Sequence, residues 1–307
     1  MRVLGIDTSN YTTSIAVADE TGYRHRRTIL EVKTGERGLR QSDALFLHTV
    51  NLPRLFSELD IGNIDAVSYS EKPRDIEGSY MPCFLAGKSA ATAAASAAGV
   101  PLFAFSHQAG HIMAALKSCE AGEEALGREF LAFHISGGTT ELLHVKRKDI
   151  GFDIAIVGET LDINAGQLID RAGVLLGLKF PCGMELEKLA AQGKSVKLHA
   201  CIKSGNCNLS GAENKIIQMY NSGKTAENIA RYAIDFACET ILGMSRYARE
   251  AHPSLPILYA GGVMRDNIIR DRLTGEMENI YFAENELSSD NAVGTAYLGL
   301  EALKGRR

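Results

Sequence analysis

The chain opens with two predicted strands joined by a short turn of hydroxyl residues, and the same pattern returns near residue 129. Residues 2–19 read RVLGID, TSNY and TTSIAVAD, and residues 129–145 read EFLAFHISGGTTELLHV. In both stretches a short apolar run leads through small and hydroxyl residues into a second run, which is typical of a β-hairpin. The repeated opening predicts an internal duplication of topology, with two similar α/β halves.

Length and periodicity agree with two halves. The chain has 307 residues, more than one compact core usually takes. Further strands are predicted at 23–30, 64–70, 101–106, 152–160 and 255–263. Helices are predicted at 42–59, at 84–99, over much of 164–192, at 225–251 and at 290–305.

Composition excludes several classes of protein. The net charge is −4, so any nucleic-acid contact must come from a local patch or a partner protein. The N-terminus lacks the pattern of a signal peptide, and the alanine-rich stretch 84–99 is too short and too weakly apolar to span a bilayer. It is better interpreted as a buried helix that ends at Gly99. Six cysteines without a C-x-x-C pair predict reduced thiols in the cytoplasm.

Three turns carry residues suited to phosphate binding. They are DTSNYTTS (7–14), SGGTT (136–140) and AGGV (260–263). Glycine permits close backbone approach to a phosphate, and exposed N–H groups and hydroxyls coordinate its oxygens. Hairpin turns use the same residues for steric reasons, but three such turns together with Asp7 and Asp170 favour a nucleotide site. A P-loop is excluded, because no GK[ST] sequence has the required glycine five residues earlier.

His107 and His111 lie four residues apart in SHQAGH, at the start of a helical run. At this spacing two imidazoles share one helix face and can bind one metal ion, although an ordinary polar pair has the same pattern. Gln108 stands where a H-E-x-x-H peptidase has its general base, so proteolysis is excluded. Asp290, at the head of the last helix, is the best candidate for a third ligand. His48, on an apolar helix, is interpreted as a satisfied core histidine.

In sequence order, the motifs GIDTS, SHQAGH, HISGGTTEL, GETLDINAGQLIDRAGVLLGLKFPCG, LSGAENK, AGGVMRDNIIR and SSDNAVGTAYLG resemble those of the Kae1/TsaD family, also written Gcp. That family carries the older name O-sialoglycoprotein endopeptidase and makes N6-threonylcarbamoyladenosine beside the anticodon of tRNA. The similarity runs from residue 3 to about residue 300. It implies the actin-like ATPase (ASKHA) fold with a nucleotide and metal cleft between two RNase H-like lobes. These lobes would be residues 1–115, with the helix 290–307 packing back, and 116–289.

The resemblance also implies a site. One divalent metal, iron or zinc, would be held by His107, His111 and Asp290. ATP, AMP or threonylcarbamoyl-AMP would be bound by the turns and by nearby acidic residues, namely Asp7, Ser9, Ser136, Gly137, Gly138, Asp162, Gly166, Asp170, Gly183, Gly261, Gly262 and Asp266. The metal would act as Lewis acid while the adenosine amine attacks the carbamoyl carbon and AMP leaves, so no protein nucleophile is required. Implied partners are tRNA, a same-fold TsaB-like protein, a TsaE-like ATPase and a second copy of the chain.

The sequence departs from the family pattern at several positions expected to contact substrate. The family's ETSCDET, SGGHTQL and DDAAGEAFDK read here DTSNYTT, SGGTTEL and DINAGQLIDR, and FSGLKT, YPGGP and GGVAAN read LSGAEN, FPCGM and GGVMRD. The departing residues include Tyr11, Thr12, Thr139, Ile163, Gln167, Arg171, Glu213 and Asp266. They leave open an active transferase, a relative with an altered acyl or carbamoyl acceptor, and a non-catalytic partner subunit.

Two dense basic clusters, RHRR (24–27) and KRK (146–148), also stand out. Contact with tRNA and a solvated strand edge explain them equally well.

Overall fold

The computed structural model describes residues 1–9, 11–30, 39–284, 287 and 291–306, and of residue 291 only the backbone. Asp290, the predicted third metal ligand, lies outside the described residues. In chain order the strands and helices are β1 (Arg2–Ser9), β2 (Thr12–Asp19), β3 (Gly22–Ile29), α1 (Gln41–Glu58), β4 (Ala66–Lys72), α2 (Phe84–Ala98), β5 (Leu102–Ser106), α3 (His107–Lys117), β6 (Glu129–Ile135), β7 (Thr140–Arg147), β8 (Phe152–Glu159), α4 (Ala165–Leu175), α5 (Gly183–Ala190), α6 (Ser210–Asn221), α7 (Ala226–Ala251), β9 (Ile257–Ala260), α8 (Asn267–Glu276), β10 (Ile280–Phe282) and α9 (Asn291–Gly305).

The chain forms two compact units. Unit 1 comprises the described residues of 1–118, 147–153 and 286–307, and unit 2 those of 119–146 and 154–285. This division differs from the sequence-based one at residues 116–118, 147–153 and 287, which belong to unit 1. Residues 147–153 pack on the C-terminal helix of that unit. Arg147 pairs with Glu301 at 2.9 Å, and Gly151 lies against Leu298.

Each unit contains one five-stranded sheet, and the two sheets share one strand order. The order is β3-β2-β1-β4-β5 in unit 1 and β8-β7-β6-β9-β10 in unit 2. In both, the first two strands are antiparallel, and the first strand pairs in parallel with the fourth. The predicted duplication of topology is therefore confirmed.

Helices cover both faces of the unit 1 sheet. Alternation along β1 and β2 sends Leu4, Ile6, Ile15 and Val17 into one cluster with the leucines of α1 and the alanines of α2. Ala16 and Ala18 point to the other face, against Ala292 and Ala296 of α9. A Cβ on Gly5 would lie 2.3 Å from the Ala292 carbonyl oxygen, so only glycine permits α9 to pack this closely on β1.

In unit 2 the hydrophobic core forms around the long helix α7. Its buried face, which includes Ile234, Ile241 and Met244, packs with β6 and β9 and with the apolar faces of α4, α5 and α6. The sequence did not predict α6, because its SGAENKIIQMYN sequence buries only Ala212 and Ile216.

The alanine-rich helix α2 of unit 1 does end at Gly99, in the left-handed conformation, but it buries one stripe only and is otherwise exposed. Among the described helices, none is both long and apolar enough to traverse a bilayer.

Candidate functional site

In unit 1 the carboxylate of Asp7, near the end of β1, is hydrogen-bonded to His107 on α3. Asp7 is 1% exposed. Its Oδ2 accepts hydrogen bonds from the Ser70 hydroxyl at 2.5 Å and from His107 Nδ1 at 2.8 Å, and its Oδ1 accepts from the Ser9 N–H at 3.0 Å. Burial alone would raise the pKa of Asp7, but the positive charge of His107 and these hydrogen bonds outweigh it and lower the pKa to about 2.

The two histidines predicted as a pair are brought together. The Ser106 side chain caps α3 by accepting from the Ala109 N–H at 3.2 Å, so the helix starts at His107, directly after β5. The rings of His107 and His111 then lie on one face, with centroids 4.5 Å apart. Strand, cap and helix together fix both imidazoles beside Asp7.

This donor set fits a divalent metal. Among the described residues, no three His, Cys, Asp or Glu side chains are arranged to hold an ion by themselves. Two neighbouring imidazoles are nevertheless ligands of the type that zinc and iron take. A carboxylate on the far nitrogen of a ligating histidine is the usual means of fixing its ring. With Nδ1 of His107 bonded to Asp7, a metal would coordinate Nε2.

The other hydroxyls of the first turn hold the fold of unit 1 together. The Thr8 hydroxyl donates to the Cys83 carbonyl at 3.0 Å and accepts from the Gly87 N–H at 3.1 Å, which joins β1 to α2. His48 Nδ1 lies 2.8 Å from the Thr13 hydroxyl. His48 is buried, as the interpretation of a core histidine expects, but its Nε2 has no hydrogen-bond partner within the described structure, so only one ring nitrogen is satisfied. Burial lowers the pKa of His48 to about 4.

Unit 2 contains a pocket of about 330 Å³. Six residues predicted to bind nucleotide line it: Gly137, Gly166, Asp170, Gly183, Gly262 and Asp266. Six further lining residues were not predicted: Ile169, Pro181, Met184, Glu187, Val263 and Arg265. The signal for one of them was present, because Glu187 follows Gly183 by four residues and so shares its face of α5. Arg265 and Met184 directly adjoin predicted residues.

The serine–diglycine turn and α4 are packed backbone to backbone. The Gly166 N–H donates to the Ser136 carbonyl at 3.2 Å. A Cβ on Gly166 would lie 2.6 Å from the Gly137 nitrogen and from the Ser136 carbonyl, so this position requires glycine. Asn164 and Gln167 form a capping box at the start of α4. The family departure at Gln167 therefore has a structural role here.

Two carboxyl groups of the pocket have raised pKa values. The Asp170 carboxylate accepts from the Cys182 N–H at 2.8 Å, and burial raises the pKa of Asp170. Asp266 caps α8 by accepting from the Ile269 N–H at 3.1 Å. Burial, reinforced by the charge of Glu187, raises the pKa of Asp266 to about 7.

The remaining predicted residues do not line this pocket. Asp7 and Ser9 belong to unit 1, and Ser136 and Gly138 hydrogen-bond to each other within their turn. Gly261 sits at φ +105° where a Cβ would meet the Ile135 carbonyl at 2.2 Å. The carboxylate of Asp162 accepts from the N–H groups of Ile163, Leu209 and Ser210 and from the Ser210 hydroxyl. Asp162 thus holds the start of α6.

Two of the family departures pair with each other. Nη1 of Arg171, on α4, lies 3.1 and 2.8 Å from the two carboxylate oxygens of Glu213, on α6. The acidic charge at position 213 is therefore balanced within the fold.

Comparison with known proteins identifies relatives of the chain. The family model TsaD, described as tRNA N6-adenosine threonylcarbamoyltransferase, matches residues 48–297. Curated proteins with that name from Streptococcus pneumoniae serotype 2 and serotype 4 are 33% and 32% identical over 225 residues. Each match covers 69% of this chain and 65% of the relative, so the chain spans just under two thirds of their length.

Solved structures agree on the fold. Full-length HypF in a phosphate- and nucleotide-bound form superposes with a TM-score of 0.63 at 12% identity, covering 99% of this chain and 56% of HypF. Component A of the (R)-2-hydroxyglutaryl-CoA dehydratase from Acidaminococcus fermentans gives a TM-score of 0.55 at 16% identity, covering 98% and 99%. These neighbours establish the ASKHA fold. The match to the family model over residues 48–297 shows that the chain belongs to the TsaD family of tRNA N6-adenosine threonylcarbamoyltransferases.

Proposed function

We propose that this chain transfers a threonylcarbamoyl group from threonylcarbamoyl-AMP to the adenosine beside the anticodon of tRNA. The observation that carries the proposal is the pocket of unit 2, which gathers four glycines and three carboxyl groups from separate parts of the sequence. Its volume is within the range of small-molecule sites. The reaction itself is inferred from the family to which the chain belongs.

The lining chemistry suits the AMP half of such a donor. Ile169, Pro181, Met184 and Val263 offer an apolar wall for a base. Asp170, Glu187 and Asp266 offer oxygens that can accept hydrogen bonds from ribose hydroxyls and a base amine. The backbone at Gly137 and Gly262 carries no side chain that would keep a phosphate away.

His107, His111 and Asp290 would hold the metal. A bound iron or zinc ion supplies Lewis acidity toward a carbamoyl or phosphoryl oxygen. The chain's own contribution is positional: Asp7 fixes the His107 ring, and Ser70 and the Ser9 N–H fix Asp7.

In the transfer, the exocyclic amine of adenosine attacks the carbamoyl carbonyl carbon and forms the new C–N bond. The bond from that carbon to the phosphate oxygen breaks, AMP leaves with the electron pair, and the amine proton passes to water. No side chain needs to act as nucleophile.

The proposed partners include a same-fold TsaB-like protein or a second copy of this chain, and a TsaE-like ATPase. An apolar groove between α1 and α2 supports the same-fold contact. It is lined by residues including Leu45, Leu52, Phe56, Leu85 and Ala90, and Leu85 is 43% exposed. A tRNA substrate implies activity in the cytoplasm.

The proposal is tested by incubating the purified chain with tRNA, threonylcarbamoyl-AMP, metal and the partner proteins, and analysing the tRNA nucleosides by mass spectrometry. We expect threonylcarbamoyladenosine with the wild-type chain and at least about a hundredfold less with Asp170→Asn or His107→Ala. Lys304→Gln, on the surface of unit 1, is the matched control. Wild-type chain that binds AMP and metal but leaves tRNA unmodified would contradict the proposal.

A transferase with an altered acceptor is the second candidate. It is favoured by Asp266, which stands at the position of an asparagine in the family pattern and adds an acidic group to the pocket. In the same assay this candidate predicts bound AMP and metal, unmodified tRNA, and consumption of the adenylate when the correct acceptor amine is supplied.

A further inference from the structure

The segment between α5 and α6 is basic and irregular. From Lys188 to Ala212 the sequence contains no Asp or Glu but carries Lys188, Lys194, Lys197, His199 and Lys203. Most of this segment forms neither helix nor strand. Long irregular connections inside a compact domain are commonly functional. We call residues 191–209 the lysine loop.

The fold of unit 2 anchors the lysine loop at both ends. The Lys194 N–H donates to Asn228 at 2.9 Å, and the Ser195 hydroxyl donates at 2.8 Å to Asp235, a buried residue of α7. At the other end, the Cys207 N–H donates to the Glu159 carbonyl at 3.0 Å. The backbone is thus held in place while the side chains of Lys194, Lys197 and Lys203 are exposed.

The lysines of this loop differ from the KRK cluster and from Arg24 of RHRR in having no carboxylate partner among the described residues. In KRK, Lys146 pairs with Glu129, Arg147 with Glu301 and Lys148 with Asp153. In RHRR, Arg24 pairs with Asp60. By contrast, no carboxylate of the described chain pairs with Lys194, Lys197 or Lys203. These three ammonium groups are therefore available to an anionic partner.

We propose that the lysine loop is a docking surface for the phosphate backbone of RNA. The proposal rests on the proposed function, since tRNA is the substrate it names. With a net charge of −4, the chain needs a local patch to bind a polyanion, and cations on an anchored backbone bind at a smaller entropic cost. The loop follows directly after α5, whose residues Gly183, Met184 and Glu187 line the pocket of the same unit. RNA held here is therefore delivered to the unit that carries the nucleotide pocket.

The test compares two triple variants of the full chain. One is Lys194→Gln, Lys197→Gln and Lys203→Gln. The matched control is Lys146→Gln, Lys148→Gln and Lys304→Gln, which changes the net charge equally but removes ion-paired lysines. Binding of fluorescent tRNA is measured by anisotropy from 50 to 300 mM salt, and AMP binding by calorimetry.

The loop triple should bind tRNA at least about tenfold more weakly at 100 mM salt, with a log–log salt slope smaller by about 2 to 3, as expected for three lost phosphate contacts. The control should keep the wild-type slope within about 0.5. Both triples should bind AMP and unfold thermally as the wild type does. Equal tRNA slopes for the two triples would overturn the loop proposal alone. Wild-type chain that binds AMP but not tRNA would overturn the tRNA substrate, and with it the loop.

Discussion

Asp7 in unit 1 and Asp266 in unit 2 are both almost fully buried carboxyl groups, but their surroundings shift their pKa values in opposite directions. Burial raises both. At Asp7 the charge of His107 and the hydrogen bonds from Ser70 and Ser9 outweigh it, and the pKa falls to about 2. At Asp266 two backbone N–H groups and the charge of Arg231 oppose burial without offsetting it, Glu187 reinforces burial, and the pKa rises to about 7.

This difference indicates which kind of ligand each of the two regions can bind. The Asp7 carboxylate accepts three hydrogen bonds, one of them from His107, and a ligating histidine would need its ring fixed in this way. At Asp170 and Asp266 the backbone N–H groups of the chain do not offset burial, and donors from a ligand would add to them. We therefore expect a cation beside Asp7 and a hydroxyl-rich or amine-bearing ligand beside Asp266.

The largest expected effect concerns the imidazole pair. His107→Ala should reduce the metal content of the purified protein from about one equivalent to background, because two imidazoles are needed to hold the ion. His144→Ala, which alters a histidine paired with Glu129 in unit 2, should keep the metal. Elemental analysis by mass spectrometry measures the metal content of both variants. Metal retained by His107→Ala would show that the metal site is not at the imidazole pair of unit 1.

Asp7→Asn should leave the metal site present but weakened. The amide can no longer hold the His107 ring by charge, and a lost orienting carboxylate typically lowers metal affinity about 10- to 100-fold. Competition against a fluorescent chelator gives the affinity. An unchanged affinity would mean that Asp7 serves the fold and not the metal.

Asp266→Asn should stabilise the protein in a pH-dependent way. Between the ordinary aspartate pKa of 3.8, which applies to the unfolded chain, and the folded value of about 7, the native state binds a proton that the unfolded state has lost. Wild-type stability therefore falls as pH rises through this window. The penalty is complete above pH 7 and is on the order of 4 kcal/mol at most. Asparagine keeps the helix cap.

Urea unfolding at several pH values checks this expectation. The variant should exceed the wild type at pH 8 and match it near pH 4. An equal advantage at both values would show that Asp266 does not titrate in this window.

Gly166→Ala should displace the serine–diglycine turn, because the new Cβ would overlap its backbone. We expect a loss of about 1–3 kcal/mol in the free energy of unfolding, as for overpacked cores, together with weaker AMP binding. Gly183→Ala is the control for stability alone, since a Cβ there meets no atom within 4 Å but Gly183 lines the pocket. Equal stability of the two variants would contradict the packing described for the pocket.

The smallest effect concerns the Arg171–Glu213 ion pair. Both side chains are partly exposed, so a double-mutant cycle with alanine should give a coupling below about 1 kcal/mol. AMP affinity should stay within about twofold of the wild type. A tenfold change in either single variant would assign the pair to the ligand site.

The sequence predicted the features that depend on local pattern. The hairpin openings, the histidine pair and the glycine turns follow from residue types at short spacing, and the structure places them as strands, one helix face and pocket walls. Helix α6 was not predicted because so few of its residues are buried. The Arg171–Glu213 pair and the uncompensated lysines of the lysine loop depend on contacts between distant segments, which periodicity does not report. For the same reason KRK stood out in the sequence although its charges are paired in the fold.

The most direct test of the account is anomalous X-ray diffraction from crystals of the chain grown with zinc and AMP. The account predicts a zinc peak bonded to His107 and His111, with Asp290 as a further ligand. It also predicts AMP in the unit 2 pocket, in contact with Asp170 and Asp266. Zinc bound away from the imidazole pair, or AMP bound outside the glycine-lined pocket, would contradict it.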